Sequence, residues 1–199
     1  MMKIGLTGSI ACGKSTVSSY LRTLGYTVVD ADGISREITA PGGKALPALR
    51  EAFGSGIFFE DGTLDRRALG RAVFGNPDQL AQLNAILHPM IIEEIIRQLN
   101  DAVEDEIVFG DVPLLFECGM ESVFDQIWVV HASEETQIAR LCARDSLSKN
   151  EALQRIHAQM PQDEKIRRAH AAISTEGTIS ETQAHVRSLL ASIPLRRPE

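Results

Sequence analysis

The sequence predicts an α/β fold: a parallel sheet of five short strands flanked by helices, with a helical insertion and a second, shorter helical segment. Three observations predict it. Short apolar runs, several rich in Val or Ile, alternate with helical stretches, as strands buried on both faces do. Their spacing is uneven, with no run fit to join the sheet between Asp32 and Glu106. A turn with glycine at both ends, Gly8-Ser9-Ile10-Ala11-Cys12-Gly13-Lys14-Ser15, lies between the first apolar run and the first helical stretch.

Residues 4–7 read as the first strand and residues 14–24 as the first helix. The other strands are expected at 27–30, 107–111, 127–131 and, most weakly, 171–174. The long gap after the second strand is helical in pattern. Asn76-Pro77-Asp78-Gln79 is a cap, a proline at the first helical position and a polar residue behind it. Beyond His88-Pro89, Ile91, Ile92, Ile95, Ile96 and Leu99 mark one helix face. Ser148-Lys149-Asn150-Glu151 and Thr178-Ile179-Ser180-Glu181 have the capping-box pattern that opens a helix. There is no internal repeat and no low-complexity tract.

At 199 residues the chain suits one domain with insertions, and 44% hydrophobic residues suffice for a full core. A formal charge of −7 argues against a general nucleic-acid binder, which needs basic surface to meet phosphates. A small anionic ligand remains compatible, since a local cluster of Lys and Arg works inside an acidic protein. Cys12, Cys118 and Cys142 have no metal-type spacing and read as thiols of a reducing compartment. No run is long enough to span a membrane, and the start lacks the apolar stretch of a signal peptide. The expectation is a cytoplasmic protein, monomeric, acting on a small molecule.

The turn at Gly8–Ser15 has the form G-x-x-x-x-G-K-[ST], the phosphate-binding loop. Backbone N–H groups must converge on one anion, and glycine permits that shape. The following helix adds its uncapped donors and the positive end of its dipole. Lys14 reaches the outer phosphates, and the Ser15 hydroxyl takes a place on Mg²⁺. The pattern requires a strand before and a helix after, and both are present. The loop thus implies a nucleoside triphosphate as ligand, and the small-molecule kinase reading makes the fold class that of the P-loop kinases.

A GTPase switch is disfavoured. Asp30-Ala31-Asp32-Gly33 comes too soon after the loop, and no N-K-x-D or T-K-x-D motif occurs. A small-molecule kinase fits better, since phosphoryl transfer needs an acceptor hydroxyl and a group to take its proton. Asp32, just past the second strand on the edge that holds the loop, is either that base or the N-cap of the next helix. Asp111, ending Ile107-Val108-Phe109-Gly110, is either a magnesium-side carboxylate or a turn cap before Pro113. Gln137, Arg140 and Arg144 share one helix face, either solvated or closing on ATP phosphates. Ile138, Leu141 and Cys142 face the other way. Arg155, Lys165, Arg167 and Arg168 continue the basic character through a lid that excludes water.

These residues form a longer series. Gly5-Leu6-Thr7-Gly8 with Gly13-Lys14-Ser15-Thr16 comes first, then Asp30-Ala31-Asp32 with Arg36, then Leu87-His88-Pro89. Asp111-Val112-Pro113-Leu114-Leu115-Phe116-Glu117 follows, then Gln137, Arg140 and Arg144-Asp145, then Arg155 and Gln159-Met160-Pro161 with Lys165. In order and spacing, through nearly the whole chain, the series resembles the dephospho-coenzyme A kinases. The resemblance implies ATP-dependent phosphorylation of the ribose 3′-hydroxyl of dephospho-CoA, the last step of coenzyme A synthesis. It implies three parts that match the pattern above. These are a nucleotide-binding core (1–32, 106–145, 170–199), a helical substrate domain (33–105) and a lid (146–169).

Carried over by the resemblance, Gly8 and Ala11, Cys12, Gly13, Lys14, Ser15 and Thr16 hold the ATP phosphates, and Lys14 aids transfer. Asp32 becomes the base, with Arg36 on the substrate. Arg140 and Arg144 become nucleotide and lid contacts, with Arg140 assisting transfer. Ser15 and Asp111 serve the metal. His88 lies near the acceptor or caps the turn before Pro89. Pro113, Leu114 and Glu117 line the substrate cleft. A kinase for another small acceptor, such as a nucleoside monophosphate, and a non-catalytic nucleotide-binding regulator are the alternatives. The large insertion and the Pro-Leu-Leu-Phe-Glu stretch favour the bulky dephospho-CoA. Intact Lys14, Ser15, Asp32 and Asp111 count against a regulator.

The chain departs from the family pattern in two places. Ser9 and Ala11-Cys12 stand where Gly and Gly-Ser are usual, so Ala11 must take a conformation glycine adopts more cheaply. Cys12 adds a thiol beside the phosphates, open to oxidation. Near the end, His170 and Thr175 replace the usual Asp and Asn. That stretch is expected near the adenine, so nucleotide affinity or base choice is the property concerned.

Overall fold

Every expected strand forms. The structure, a computed structural model, describes residues 1–73, 75–102 and 105–194. The remaining positions of the expected insertion and core ranges lie outside the described residues. The strands are β1 (Met2–Gly8), β2 (Thr27–Asp30), β3 (Ile107–Asp111), β4 (Gln126–His131) and β5 (Ala171–Ser174). β1 and β4 begin earlier than the apolar runs alone suggest. The Met2 N–H donates to the Glu106 carbonyl at 2.8 Å and the Lys3 N–H to Asp125 Oδ2 at 2.7 Å, which extends the pairing past the last apolar residue.

The sheet order is β2-β3-β1-β4-β5. β1 runs parallel to β3, from Met2 beside Ile107 to Leu6 beside Asp111, and parallel to β4, from Ile4 beside Gln126 to Gly8 beside Val130. β4 pairs with β5 up to His131 beside Ser174. Parallel pairing needs a crossover between successive strands, so the carboxyl ends Gly8, Asp111, His131 and Ser174 collect at one end of the sheet. In such sheets that end is where ligands bind.

The helices are α1 (Lys14–Thr23), α2 (Ala31–Ile38), α3 (Leu46–Phe53), α4 (Arg66–Val73), α5 (Pro77–Asp101), α6 (Glu134–Asp145), α7 (Lys149–His157), α8 (Gln162–Arg168) and α9 (Ile179–Ser192). The chain divides into two compact units, residues 1–29 with 99–199, and residues 30–98.

In the first unit, Ile4, Leu6, Phe109, Trp128, Val130 and Ile173 from the sheet pack with Val17 and Leu21 of α1 and Val186 of α9. Tyr26, Phe109 and Trp128 meet edge to face, with ring centroids 5.5 Å apart at each contact. Burying each such side chain contributes about 1.5–3 kcal/mol. Both predicted capping boxes are present. The Ser148 and Thr178 hydroxyls accept the N–H groups of Glu151 and Glu181, and those carboxylates reach back.

The second unit is helical, with Ile34, Ile38, Leu49, Ile57, Leu69 and Ile95 buried. Asn76 Oδ1 caps α5 by accepting the Gln79 N–H at 3.2 Å. Helix α5 then runs unbroken through Pro89, so a cap at His88 is excluded. Pro89 has no N–H for the carbonyl one turn back. The apolar face that follows it keeps the helix going: Ile95 is buried, and Ile91, Ile92 and Ile96 are half-buried. Among the described residues no helix is long and apolar enough to cross a membrane.

Candidate active site

The loop after β1 is an uncapped helix start. Gly13, the N-cap of α1, has φ 86°, and no side chain caps the helix. The first turn of α1 carries no acidic residue, whereas the capping boxes of α7 and α9 each bring in a glutamate. Orphan N–H donors and a bare dipole end therefore point at whatever sits in the loop. Gly8 is needed for a separate reason, since a Cβ there would run into the Val130 carbonyl and Cys12 Sγ. Ala11 does take the glycine conformation, at φ 58°, which costs an L-residue about 1–2 kcal/mol.

Lys14 and Asp111 form an ion pair. Their side chains are 16% and 8% exposed, so the pair is largely withdrawn from water. Both follow from position. Asp111 ends β3 beside Leu6 of β1, and Lys14 opens α1 after the same strand. Ser15, next along α1, is exposed. The Thr7 hydroxyl donates to the Pro113 carbonyl at 3.0 Å, tying the segment after β3 to the strand that carries the loop. Leu114 is exposed at 37%.

Cys12 is not an open thiol. It is 1% exposed. Burial pushes its pKa up, against the opposing pull of the Lys14 N–H and the nearby cations. A protonated, covered thiol is a poor nucleophile, which removes the expected oxidation site.

A cavity of about 580 Å³ opens on the other side of the loop, lined among others by Gly13, Ser15, Thr16, Arg140, Arg144 and Thr175. Arg140 is anchored there. Its Nη1 donates to Thr175 Oγ1 at 2.9 Å and to the Ala11 carbonyl at 3.2 Å, and its Nη2 donates to the Thr175 carbonyl at 2.8 Å. Arg144 is exposed and held flat against Asp145 by two hydrogen bonds of 2.8 and 2.9 Å. These raise the Arg144 pKa and lower that of Asp145. Gln137 does not share this exposed face. It is 2% exposed, and its Nε2 donates to the Ala132 carbonyl at 2.9 Å and to Gln162 Oε1 at 3.0 Å. Gln137 keeps the helical spacing, but its side chain turns inward to the Ala132 carbonyl and the Gln162 side chain.

Arg155, Lys165, Arg167 and Arg168 are already paired. Lys165 is fully buried with its Nζ 2.7 Å from Glu117 Oε1. The contact is an ion pair, and Nζ has no well-directed hydrogen bond among the described residues. Arg168 pairs with Glu121 and lies over the Phe116 ring, Arg167 pairs with Glu164, and Arg155 reaches Asp145 at 3.3 Å. The segment is also tied to the loop and to the stretch after β3. The Ile10 N–H donates to Gln159 Oε1 at 2.8 Å, and the Met160 N–H donates to Glu117 Oε1 at 3.1 Å. The resemblance implies Glu117 as a cleft residue. In the structure it meets Lys165 and the Met160 N–H of residues 146–169.

In the second unit the N-cap of α2 is Asp30, whose Oδ1 accepts the Asp32 N–H at 3.0 Å. The capping role proposed for Asp32 is therefore excluded. Its carboxylate is exposed and unpaired among the described residues. Arg36, two-thirds exposed, sits 3.5 Å from Asp30. His88 lies in the middle of α5.

Thr175 and His170 part company. His170 precedes β5, at the amino end of the strands, where its Nδ1 accepts the Ile127 N–H at 3.0 Å. It is thus far from the loop end of the sheet, and the expectation that it lies near a base is corrected. Thr175 sits at the loop itself, a position that no motif spacing singled out. Its departure from the family pattern was the only signal in the sequence.

Comparison with known proteins agrees with this geometry. A family model described as dephospho-CoA kinase matches residues 2–181. The chain is similar to a dephospho-CoA kinase of Carboxydothermus hydrogenoformans, 47% identical over 94% of this chain and 92% of the relative. It is similar to the crystal structure of TT1252 from Thermus thermophilus, with TM-score 0.80 and 36% identity over 97% of this chain and 98% of that one. It is also similar to a dephospho-CoA kinase from Campylobacter jejuni, with TM-score 0.67 and 25% identity over 95% of each chain. A loop ending on an uncapped helix start, a lysine drawn to Asp111 and a match through both units lead to one conclusion: this chain belongs to the dephospho-CoA kinase family.

Proposed function

We propose that the protein transfers the terminal phosphoryl group of ATP to the ribose 3′-hydroxyl of dephospho-CoA, giving coenzyme A and ADP. The observation that carries this reading is the bare N-terminus of α1 behind Gly13, in a chain that matches the family through nearly its whole length. Backbone donors from Ala11 to Thr16 hold the phosphates, with Gly8 letting the loop pass close to β4. Lys14 carries positive charge toward the transferring group, and Asp111 keeps it aimed. Arg140 and Arg144 line the nucleotide cavity. Pro113, Leu114, Glu117, Arg36 and His88 serve the acceptor.

The donor set fits a magnesium ion. The Ser15 hydroxyl and the free oxygen of Asp111 are hard oxygen ligands, and Mg²⁺ takes most of its remaining ligands from phosphates and water. When bound, Mg²⁺ neutralises charge on the outer phosphates. Asp32 takes the proton of the 3′-hydroxyl as the new O–P bond forms and the bond to ADP breaks. Its exposed, unpaired carboxylate supports this role. The lid excludes water, which would otherwise accept the phosphoryl group. The three thiols support a reducing compartment, the cytoplasm.

The test is incubation with Mg-ATP and dephospho-CoA, beside AMP, CMP and shikimate, with products read by mass spectrometry. The expected result is one phosphate added to dephospho-CoA alone, with turnover lost in Lys14→Ala. A product on another acceptor overturns the substrate, and near-normal turnover in Lys14→Ala overturns the loop assignment.

A further inference from the structure

Three of the positions that depart from the family pattern, Ala11, Cys12 and Thr175, lie together in space. Thr175 is 6% exposed. Its hydroxyl donates to the Cys12 carbonyl at 2.7 Å and accepts from Arg140 Nη1 at 2.9 Å. One hydroxyl has one proton to give and lone pairs to receive, so both capacities are in use. Arg140 Nη1 also donates to the Ala11 carbonyl, and Nη2 to the Thr175 carbonyl. Two consecutive loop carbonyls are thus held from outside the loop by one side-chain pair.

We infer that Thr175 is a positioning residue that sets the phosphate-binding loop and the Arg140 guanidinium together. The physical reason is the planar trans peptide, in which the carbonyl of one residue and the N–H of the next point opposite ways. Holding the Cys12 carbonyl toward Thr175 turns the Gly13 N–H away from Thr175. The approach is close: a Cβ on Gly13 would sit 3.1 Å from Thr175 Oγ1 and 3.3 Å from Arg140 Nη1. A side chain at Gly13 would press on the clasp, and its φ of 86° also favours glycine. The clasp also holds the left-handed backbone of Ala11, which prefers to relax. The inference rests on the nucleotide reading above and names which residue shapes that site.

The test compares Thr175→Val with Thr175→Ser. Valine keeps the shape and removes both hydrogen bonds, while serine keeps the hydroxyl. Mg-ADP binding is measured by calorimetry, steady-state kinetics with ATP and dephospho-CoA give KM and kcat, and thermal melts check folding. The expected result is about tenfold weaker ADP binding and a similar rise in KM for ATP in the valine variant. Its kcat changes less, and the serine variant stays within about twofold of the parent. Parental ADP binding in the valine variant overturns the inference, as does a serine variant as impaired as valine. If valine does not fold, Thr175→Ala is read in the same titration against the same two outcomes. Binding of ADP needs no acceptor. Weakened ADP binding in the valine variant, with no phosphorylation of dephospho-CoA by the parent, therefore retires the substrate and keeps the clasp, while phosphorylation by the parent with parental ADP binding and parental KM for ATP in the valine variant retires the clasp alone.

Discussion

Of the two tasks that the sequence leaves open for Asp32, the structure gives the cap to Asp30. Asp30 caps α2, and the Asp32 carboxylate is left uncommitted at the edge of water. Asp32→Asn is therefore expected to lower kcat by about 10²- to 10⁴-fold, with KM for ATP within about threefold of the parent. Steady-state kinetics check it, and an unchanged kcat removes Asp32 from the chemistry. The same scale shows where residue-level reading falls short. That Ala11 adopts positive φ was legible, because the loop shape demands it. That Cys12 is covered was not, because the cover comes from the core of the first unit. Gln137 followed the helical period correctly yet turned inward, because a period says which residues share a face and not what packs on that face.

At the scale of elements, strands and caps were legible and the pairing of the lid was not. Each strand announced itself by a short apolar run, and each capping box by two residues three apart. The lid read as an open basic stretch. In the structure Lys165, Arg168, Arg167 and Arg155 pair with Glu117, Glu121, Glu164 and Asp145. Lys165 carries the sharpest consequence, since it is fully buried while Glu117 keeps 24% of its side chain exposed. Removing Glu117 strands a buried cation, whereas removing Lys165 leaves a carboxylate that water can reach. Glu117→Gln is thus expected to destabilise the protein by about 3–5 kcal/mol, and Lys165→Met by clearly less. Urea unfolding of both variants checks the order, and equal losses count against the buried pair.

For the whole molecule, the carboxylates decide the response to acid. Glu94 is held down from 4.5 to about 2, first by hydrogen bonds from Arg97 and Gln98. Hydrogen bonds from Ser148, Ser133 and Thr178 lower Glu151, Glu176 and Glu181 in the same way. A depressed acid adds stability that is full above its unfolded value and disappears as pH falls through its folded value. His131, lowered from 6.5 by burial, has the same sign and opens the window higher. Stability is therefore expected to decline below about pH 6.5 and more steeply from about 4.5 toward 2. Glu94→Gln should lower the melting temperature at pH 7 by about 2–4 °C and leave it near the parent's at pH 2. A penalty of equal size at both pH values excludes the linkage.

The sequence by itself determined the strands, the phosphate-binding loop, the starts of α1, α5, α7 and α9 and the family, because each of these is written in neighbouring residues whose spacing is set by backbone geometry. Only the tertiary structure decided which aspartate caps α2, that α5 passes through Pro89, that Arg155, Lys165, Arg167 and Arg168 are paired, and that the Thr175 hydroxyl holds the loop from 163 positions away along the chain. Those outcomes depend on contacts between distant segments. Burial and hydrogen-bond partners are properties of the folded neighbourhood, and no local pattern of residue types encodes who the neighbour will be.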